Sequence, residues 1–204
     1  MNAPQITLQL GDFAGLDVDV LVCPASPDLT APSGLAAELH RLAGPGLQRE
    51  CRRIGHCPVG DSEITSAYGL PSRYVVHAVT PVWRGGNARE AQLLAACYRS
   101  VLEWAIDVGA GSVAFPALAV SEGGYPARLA AEVAVRAIRE FPESYGRLSR
   151  LVICCGAVGD HEAYRRVLEP ASAALRACPA AGGEELPGFP PAGLLPRPEL
   201  GLAC

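Results

Sequence analysis

The stretch from Phe115 to Pro126, which reads FPALAVSEGGYP, constrains the fold of this chain more than any other. It follows an apolar run, contains Gly123 and Gly124, and leads into an alanine-rich segment typical of a helix. A strand, a glycine-bearing loop and a helix with proline in its first turn favour anion binding, because free N–H groups and the positive end of the helix dipole point at the loop. An ordinary strand-to-helix turn carries the same residue types, so both interpretations stay open.

Composition indicates a globular chain with one sizeable core. The chain has 204 residues, of which 50% are hydrophobic and 19% charged, and its net charge is -4. That length suffices for one full domain and a tail. The small negative charge gives no electrostatic footprint for nucleic acid or for an anionic membrane. The chain contains no lysine, which excludes lysine nucleophiles and Schiff bases.

The cysteines and the N-terminal segment favour a reduced compartment. The chain has 8 cysteines, and no two of them form a C-x-x-C pair, so neither a zinc motif nor a thioredoxin-type motif is indicated. The first residues lack a basic region and a long apolar core, so no secretory signal is visible. We therefore expect a cytoplasmic, soluble protein with no metal and no cofactor.

Apolar periodicity predicts strands that alternate with helices. Strands are predicted at 6–10, 16–23, 62–67, 73–79, 112–115 and 151–155, and helices at 35–42, 47–54, 88–108, 126–141 and 161–175. This order predicts an α/β sheet with helices on both faces. From Cys178 onward the chain is rich in proline and glycine without a period, so we expect one domain over 1–176 and a flexible tail over 177–204.

A ligand site in such a fold is expected beyond the carboxyl ends of the strands. The strand that ends at Cys23 is followed by a loop rich in proline, serine and aspartate. The strand that ends at Phe115 is followed by the glycine-bearing loop described above. These two loops are therefore the predicted walls of a cleft.

Short runs of residues, taken in order, are specific to one family. The runs are Gly11–Phe13, Asp19–Val22, Leu39–Pro45, Gly60–Thr65, Leu70–Pro71, Tyr74–Trp83, Cys97–Arg99, Ser112–Leu118 and Gly124–Pro126. Over roughly Ile6 to Leu168 the chain resembles the macrodomain, a three-layer α/β/α module with a mixed central sheet. The resemblance implies binding of ADP-ribose, which some branches remove from proteins, while others deacetylate O-acetyl-ADP-ribose.

The resemblance also implies which residues contact the ligand. Asp12 matches an aspartate that accepts a hydrogen bond from the adenine amino group, although a carboxylate there also suits a turn cap. Gly123 and Gly124 would admit the diphosphate, and Ser26 and Gly34 would contact the distal ribose. The full expected binding set is Asp12, Phe13, Ser26, Gly34, Ser121, Glu122, Gly123, Gly124 and Tyr125.

Several of these positions depart from the family's pattern. Ser26 replaces an asparagine, and a hydroxyl is shorter and lacks the fixed donor and acceptor pair of an amide. Pro32 removes an N–H from the run before the first helix. In the glycine-bearing loop, Ser121 replaces a glycine and Gly123 an aromatic residue, while Glu122 would repel an anion if it points inward. No aromatic residue follows the last strand to stack on adenine.

The position of the family's catalytic aspartate falls on Ala36, which cannot accept a proton. Glu38 follows closely, but two residues correspond to about 200° of helix rotation, so we expect it to face elsewhere as a solvated charge. The catalytic set is therefore predicted to be empty. Whether the protein is an enzyme stays open.

Three functions remain after these comparisons of residues. The first is a monomer that binds ADP-ribose, free or on ADP-ribosylated protein, without the usual hydrolase chemistry. The second is an ADP-ribosyl hydrolase or O-acetyl-ADP-ribose deacetylase that uses unfamiliar residues. The third is a degenerate macrodomain that binds no nucleotide and acts as an interaction scaffold.

Two other chemistries have weaker support in the sequence. A nucleophilic thiol would need a histidine beside it in space, and no local sequence pattern marks such a pair. The candidate cysteines are Cys23, Cys51, Cys57 and Cys155, and the candidate histidines are His40, His56, His77 and His161. A metal site built on Cys51, His56 and Cys57 would lack a fourth ligand at a recognised spacing. His77 is expected to be a buried, hydrogen-bonded core residue.

Overall fold

The structure, a computed structural model, describes residues 4–31, 33–141 and 146–169. Pro32 and the predicted tail at 177–204 lie outside the described residues. The strands are β1 Gln5–Leu10, β2 Val20–Ala25, β3 Ser62–Ser66, β4 Tyr74–Val79, β5 Ser112–Pro116 and β6 Arg150–Cys155. The helices are α1 Gly34–Ala43, α2 Pro45–Ile54, α3 Glu90–Asp107, α4 Ala127–Arg139 and α5 Val158–Leu168.

The strands form one 6-stranded sheet in the order β1-β6-β5-β2-β4-β3. All neighbours pair in parallel except β3, which runs antiparallel to β4 at one edge. Successive side chains of a strand point to opposite faces. Cys23 accordingly packs in a core with Leu39 of α1 and Leu47 of α2, while the Phe115 ring lies 5.0 Å from that of Tyr98 on α3. The predicted three-layer α/β/α fold with a mixed sheet is thus confirmed.

The boundaries of two predicted elements were wrong. β2 begins at Val20, four residues later than the predicted start, and continues through Pro24 to Ala25. Proline is tolerated there because β5 pairs with β2 only at Val20 and Leu21, so no neighbour on that side needs its missing N–H. The last helix begins at Val158, earlier than predicted, and the part of its predicted range beyond residue 169 lies outside the described residues.

Asp19 joins three strands at the amino end of the parallel sheet. Its Oδ2 accepts hydrogen bonds from the backbone N–H of Gly111 at 2.8 Å and of Ser112 at 3.1 Å. The Ser112 hydroxyl donates to the same oxygen and accepts from the Asp19 N–H at 2.9 Å. The Asp19 carbonyl in turn accepts from the N–H groups of Arg73 and Tyr74, which begin β4. The starts of β2, β4 and β5 are therefore fixed to one residue.

Beyond this junction β2 and β5 part. Their register contains only Val20 with Val113 and Leu21 with Ala114, whereas β2 stays paired with β4 as far as Ala25. After β2 the chain first adds β3 and β4 on one side of β2 and then β5 and β6 on the other side. An open α/β sheet binds its ligand at such a switch point, which lies here between β5 and β2. The opening lies at the carboxyl end of the sheet, on the side predicted from the sequence.

No helix within the described part of the chain is long and apolar enough to cross a membrane.

Replacing Asp19 with alanine is expected to lower the free energy of unfolding by about 2 kcal/mol, because two backbone N–H groups lose a charged acceptor. Asp17→Ala is the matched control, since Asp17 is an exposed aspartate on the same segment. This control is expected to change stability by less than about 0.5 kcal/mol. Urea unfolding measures both values, and equal stabilities of the two variants would contradict the role given to Asp19.

Candidate functional site

A cleft of about 880 Å³ opens where β2 and β5 part. Its volume lies within the roughly 300–1,000 Å³ typical of small-molecule sites. The ends of β1, β2, β5 and β6, the segment after β4, the start of α1 and one residue of α5 form its walls. The lining residues are Gly11, Asp12, Phe13, Pro24, Ala25, Ser26, Pro27, Gly34, Leu35, Glu38, Thr80, Val82, Pro116, Ala117, Ala119, Ser121, Glu122, Gly123, Cys154, Gly156 and Asp160.

The β5–α4 loop, residues 117–126, forms one wall and turns back on itself. The Tyr125 N–H donates to the Ala119 carbonyl at 3.0 Å, and Ala119 has a φ of 65°. The Gly123 carbonyl accepts from the Trp83 N–H at 2.8 Å, which ties the loop to the segment after β4. A Cβ at Gly123 would lie 2.5 Å from the Ala119 carbonyl oxygen and 3.0 Å from that of Pro81, so only glycine fits there.

This loop presents backbone donors to the cleft. Among the described residues, none accepts a hydrogen bond from the N–H groups of Ser121, Glu122 or Gly123. All three residues line the cleft. Successive free N–H groups at a turn make a concave site for an anion. Of the two interpretations left open by the sequence, this geometry favours the anion site over a turn of no function.

The Glu122 side chain extends across the cleft to the opposite wall. A Cβ placed on Gly34, at the start of α1, would overlap the Glu122 carboxylate. The pKa of Cys23 on β2 is raised by burial, then by the neighbouring Cys51 and by the Glu122 charge, which places that charge close to β2. Glu122 therefore points inward and holds a negative charge beside the amino end of α1, where the helix dipole favours an anion.

Glu38 lines the cleft, so the prediction that it faces elsewhere was wrong, while its side chain is exposed, as expected of a solvated charge. It follows Gly34 by one turn of α1 and Leu35 by three residues, and residues at these spacings share a helix face. The predicted rotation of about 200° between Ala36 and Glu38 was right. The conclusion that this rotation turns Glu38 away from the cleft was wrong. Ala36 is on the core side of α1 and only 4% exposed, so turning away from it leads into the cleft.

Ser26 lines the cleft with its hydroxyl already engaged. It donates to Asp28 Oδ1 at 2.6 Å and lies 3.0 Å from the Thr30 carbonyl oxygen. Asp28 also accepts from the Thr30 hydroxyl at 3.0 Å, and these hydrogen bonds lower the pKa of Asp28. With its proton used inside the loop, the Ser26 oxygen is left as an acceptor for a ligand hydroxyl.

Asp12 and Phe13 lie together at the end of β1. The Asp12 Oδ1 atom accepts from the Gly15 N–H at 3.2 Å, so the carboxylate does cap a turn. It also lines the cleft, and a carboxylate with two oxygens can accept from a ligand at the same time. Phe13 is 6% exposed and contributes an apolar surface to the same wall.

Two of the expected binding residues are not part of the cleft lining. Gly124 has a φ of 65° and open space around its Cα, so it serves the turn. Tyr125 is 3% exposed, and its ring lies 4.4 Å from that of Trp83. Tyr125 thus supports the loop from behind. The other members of the expected set are brought together around one cavity.

Reasoning from the sequence missed several lining residues. Thr80 and Val82 follow β4, and Cys154, Gly156 and Asp160 belong to the end of β6 and the start of α5. Both segments follow the carboxyl end of a parallel strand. The rule that placed the other two loops at the cleft could therefore have found these residues as well.

Cys51 and His77 are a thiol and an imidazole that meet, at 3.6 Å from Sγ to Nε2. Burial raises the pKa of Cys51 to about 11, and burial followed by the neighbouring His40 lowers the pKa of His77 to about 3. Both groups are therefore neutral, and a neutral buried thiol is a poor nucleophile. Neither residue lines the cleft, so the pair is no catalytic dyad for a ligand bound there.

Comparison with known sequences and structures gives a consistent result. The sequence model of the Macro domain family matches residues 22–134. A Klebsiella pneumoniae protein named O-acetyl-ADP-ribose deacetylase is 41% identical over 170 residues, which are 81% of this chain and 97% of that protein.

Two solved structures show similar folds with ligands present. An Oceanobacillus iheyensis macrodomain with ADP superposes with a TM-score of 0.76 and 28% identity, covering 82% of this chain and 91% of that one. A Trypanosoma brucei macrodomain in complex with ADP-ribose superposes with a TM-score of 0.74 and 31% identity, covering 80% of this chain and 69% of that one.

Proposed function

This chain belongs to the macrodomain family, and we propose that its cleft binds ADP-ribose, either free or attached to a protein. The observation that carries the proposal is that the cleft is lined both by Ser121, Glu122 and Gly123, whose backbone N–H groups have no acceptor among the described residues, and by the amino end of α1. Two such donor groups on opposite walls suit a diphosphate. The similarity to macrodomains solved with ADP and with ADP-ribose supports the same ligand.

The rest of the nucleotide would extend to both sides of the diphosphate. Asp12 would accept from the adenine amino group, with Phe13 against the base. At the other end, the Ser26 oxygen would accept from a hydroxyl of the distal ribose, and the Gly34 backbone would contact the same sugar. Monomeric state, cytoplasmic location and lack of affinity for nucleic acid stay predictions.

The adenine end gives the first test. Asp12→Ala is expected to weaken binding of both ADP-ribose and ADP about tenfold, because each loses a hydrogen bond to a charged acceptor. Asp17→Ala, an exposed change outside the cleft, should leave both affinities unchanged. Calorimetric titration measures the dissociation constants, and thermal unfolding checks that the loss of the turn cap has not unfolded the variant. Absence of ADP-ribose binding by the wild type at millimolar ligand would refute the proposal.

The inward carboxylate gives the second test. Glu122→Gln is expected to tighten ADP-ribose binding about fivefold, because roughly 1 kcal/mol of repulsion with the diphosphate is removed. Asp17→Asn changes the net charge equally at a distance from the cleft and controls for long-range effects. The gain should shrink as salt rises, since salt screens charges in an open cleft. An unchanged affinity at low salt would show that Glu122 turns away from the bound diphosphate.

A second candidate function is hydrolysis of an acyl or ADP-ribosyl bond at the distal ribose. The observation that favours it is the Glu38 carboxylate, which lies on the same wall as Gly34. For an acetyl ester, Glu38 would take a proton from a water molecule while the oxygen of that water attacks the acyl carbon. The bond from that carbon to the ribose oxygen then breaks, and the ribose oxygen receives the proton. The relative named O-acetyl-ADP-ribose deacetylase supports testing this substrate.

Glu38→Gln is expected to lower the rate of O-acetyl-ADP-ribose hydrolysis about 100-fold, because a general base contributes at least that much. Its affinity for ADP-ribose should stay close to that of the wild type. Asp160→Asn is the matched control, as Asp160 is a carboxylate on a different wall of the cleft. The rates are measured by chromatography of the ADP-ribose formed over time. If Glu38→Gln retained the full rate, or the wild type gave none, this second function would be abandoned.

A further inference from the structure

Outside the cleft, sulfur and nitrogen ligands meet beneath α1. Cys23 of β2 and His77 of β4 are direct partners in the register of two parallel strands, and they point to the same face of the sheet. The His40 ring of α1 lies over them, with its centroid 5.7 Å from that of His77. One potential ligand atom from each of these three residues lies within 4.8 Å of the other two.

A fourth group adjoins them. The Cys51 Sγ atom of α2 is 3.6 Å from His77 Nε2. We call Cys23, His40, Cys51 and His77 the Cys/His cluster. None of them lines the cleft, so the cluster belongs to a different part of the molecule from the candidate nucleotide site.

His77 holds a ring nitrogen in the cluster with no partner. The Thr65 hydroxyl lies 3.0 Å from His77 Nε2 and 3.4 Å from the Val75 carbonyl oxygen. Nε2 is thus engaged, and Nδ1 is the ring nitrogen left for a further ligand. Nδ1 is buried, and no described residue hydrogen-bonds to it. A buried imidazole lone pair without a partner costs free energy unless a proton or a cation meets it.

The Thr65 hydroxyl, 3.0 Å from His77 Nε2, fixes the orientation of the His77 ring, as the outer partners of metal-bound histidines do.

We propose that the Cys/His cluster binds one zinc-type divalent cation through Cys23, His40 and His77, with water in the fourth position and the Cys51 thiol beside the His77 ring. One thiolate and two imidazole nitrogens are ligands that zinc prefers. Binding exchanges the Cys23 thiol proton, which passes to solvent, for the cation, so one thiolate offsets part of its charge. Cys23 and His77 are 0% exposed while His40 is half-buried, so the cation enters on the His40 side.

The proposal is independent of what the cleft binds. A cation in the cluster would join β2 and β4 to α1 from beneath. The same helix carries Gly34 and Glu38 on its cleft side. The ion would therefore fix the orientation of a cleft wall without contacting the ligand.

The full-length protein, freed of any affinity tag, tests the site. After incubation with zinc and passage through a chelating desalting step, the wild type is expected to retain about one zinc ion per chain. Cys97→Ser should retain the same amount, since Cys97 is an equally buried cysteine outside the cluster. Cys23→Ser should retain almost none. A wild type that holds no zinc, or a Cys23→Ser variant that holds as much as the wild type, would overturn the proposal.

A second measurement covers the case in which Cys23→Ser fails to fold. X-ray absorption of the zinc-loaded wild type should show sulfur at about 2.3 Å and imidazole nitrogen at about 2.0–2.1 Å. Cobalt in place of zinc should give a thiolate-to-metal charge-transfer band. A cation bound by oxygen and nitrogen alone would mean an adventitious site on the surface, and the proposal would fail.

Discussion

The cleft depends on one polar junction at the far end of the sheet. Asp19 holds the starts of β2, β4 and β5, because its carboxylate and its carbonyl oxygen both accept hydrogen bonds from backbone N–H groups of its neighbours. Because these strands begin at a fixed spacing and each has a right-handed twist, the loss of β2–β5 pairing after Leu21 turns into a defined opening at the carboxyl end. Pro24 helps to maintain that opening, since a residue without an N–H cannot re-form the ladder toward β5. The cavity thus depends on β2–β5 pairing at the amino end of the sheet and on the loss of that pairing at the carboxyl end.

The electrostatics of the cleft follow from which groups reach it. Backbone N–H donors and the amino end of α1 make the middle of the cavity favourable for an anion, and Glu122 supplies one from the protein itself. A side-chain carboxylate is a weaker occupant than a diphosphate, because it has one charge and its chain can rotate to solvent. Glu122 is exposed, so the cost of that rotation is small. The carboxylate that is predicted to lower affinity for a diphosphate thus lies beside the amino end of α1 when no ligand is present.

Much of the fold could be predicted from the sequence, and the failures have a common cause. Alternating strands and helices are local patterns, and the two predicted cleft loops follow from the parallel sheet they imply. The error at Glu38 arose because the rotation along a helix was measured from Ala36 without knowing which side of that helix is buried. Only packing settles that reference direction, and here Ala36 faces the core. The Cys/His cluster could not be predicted from the sequence for the same reason. Its members belong to β2, α1, α2 and β4 and have no spacing motif, so only the assembled sheet brings them together.

Helix α1 contributes residues to both the cleft and the Cys/His cluster. Its cleft side carries Gly34 and Glu38, and its opposite side carries Leu39 in the core and His40 over the sheet. A turn of the helix by one residue, about 100°, would move Glu38 out of the cavity. Apolar contacts tolerate small sliding, because dispersion is spread over many weak contacts and has little direction. Coordination bonds are short and directional, so a cation held by His40 and by residues of two strands would fix the rotation of α1. The position of a carboxylate in the cleft would then be set by chemistry on the far side of the helix.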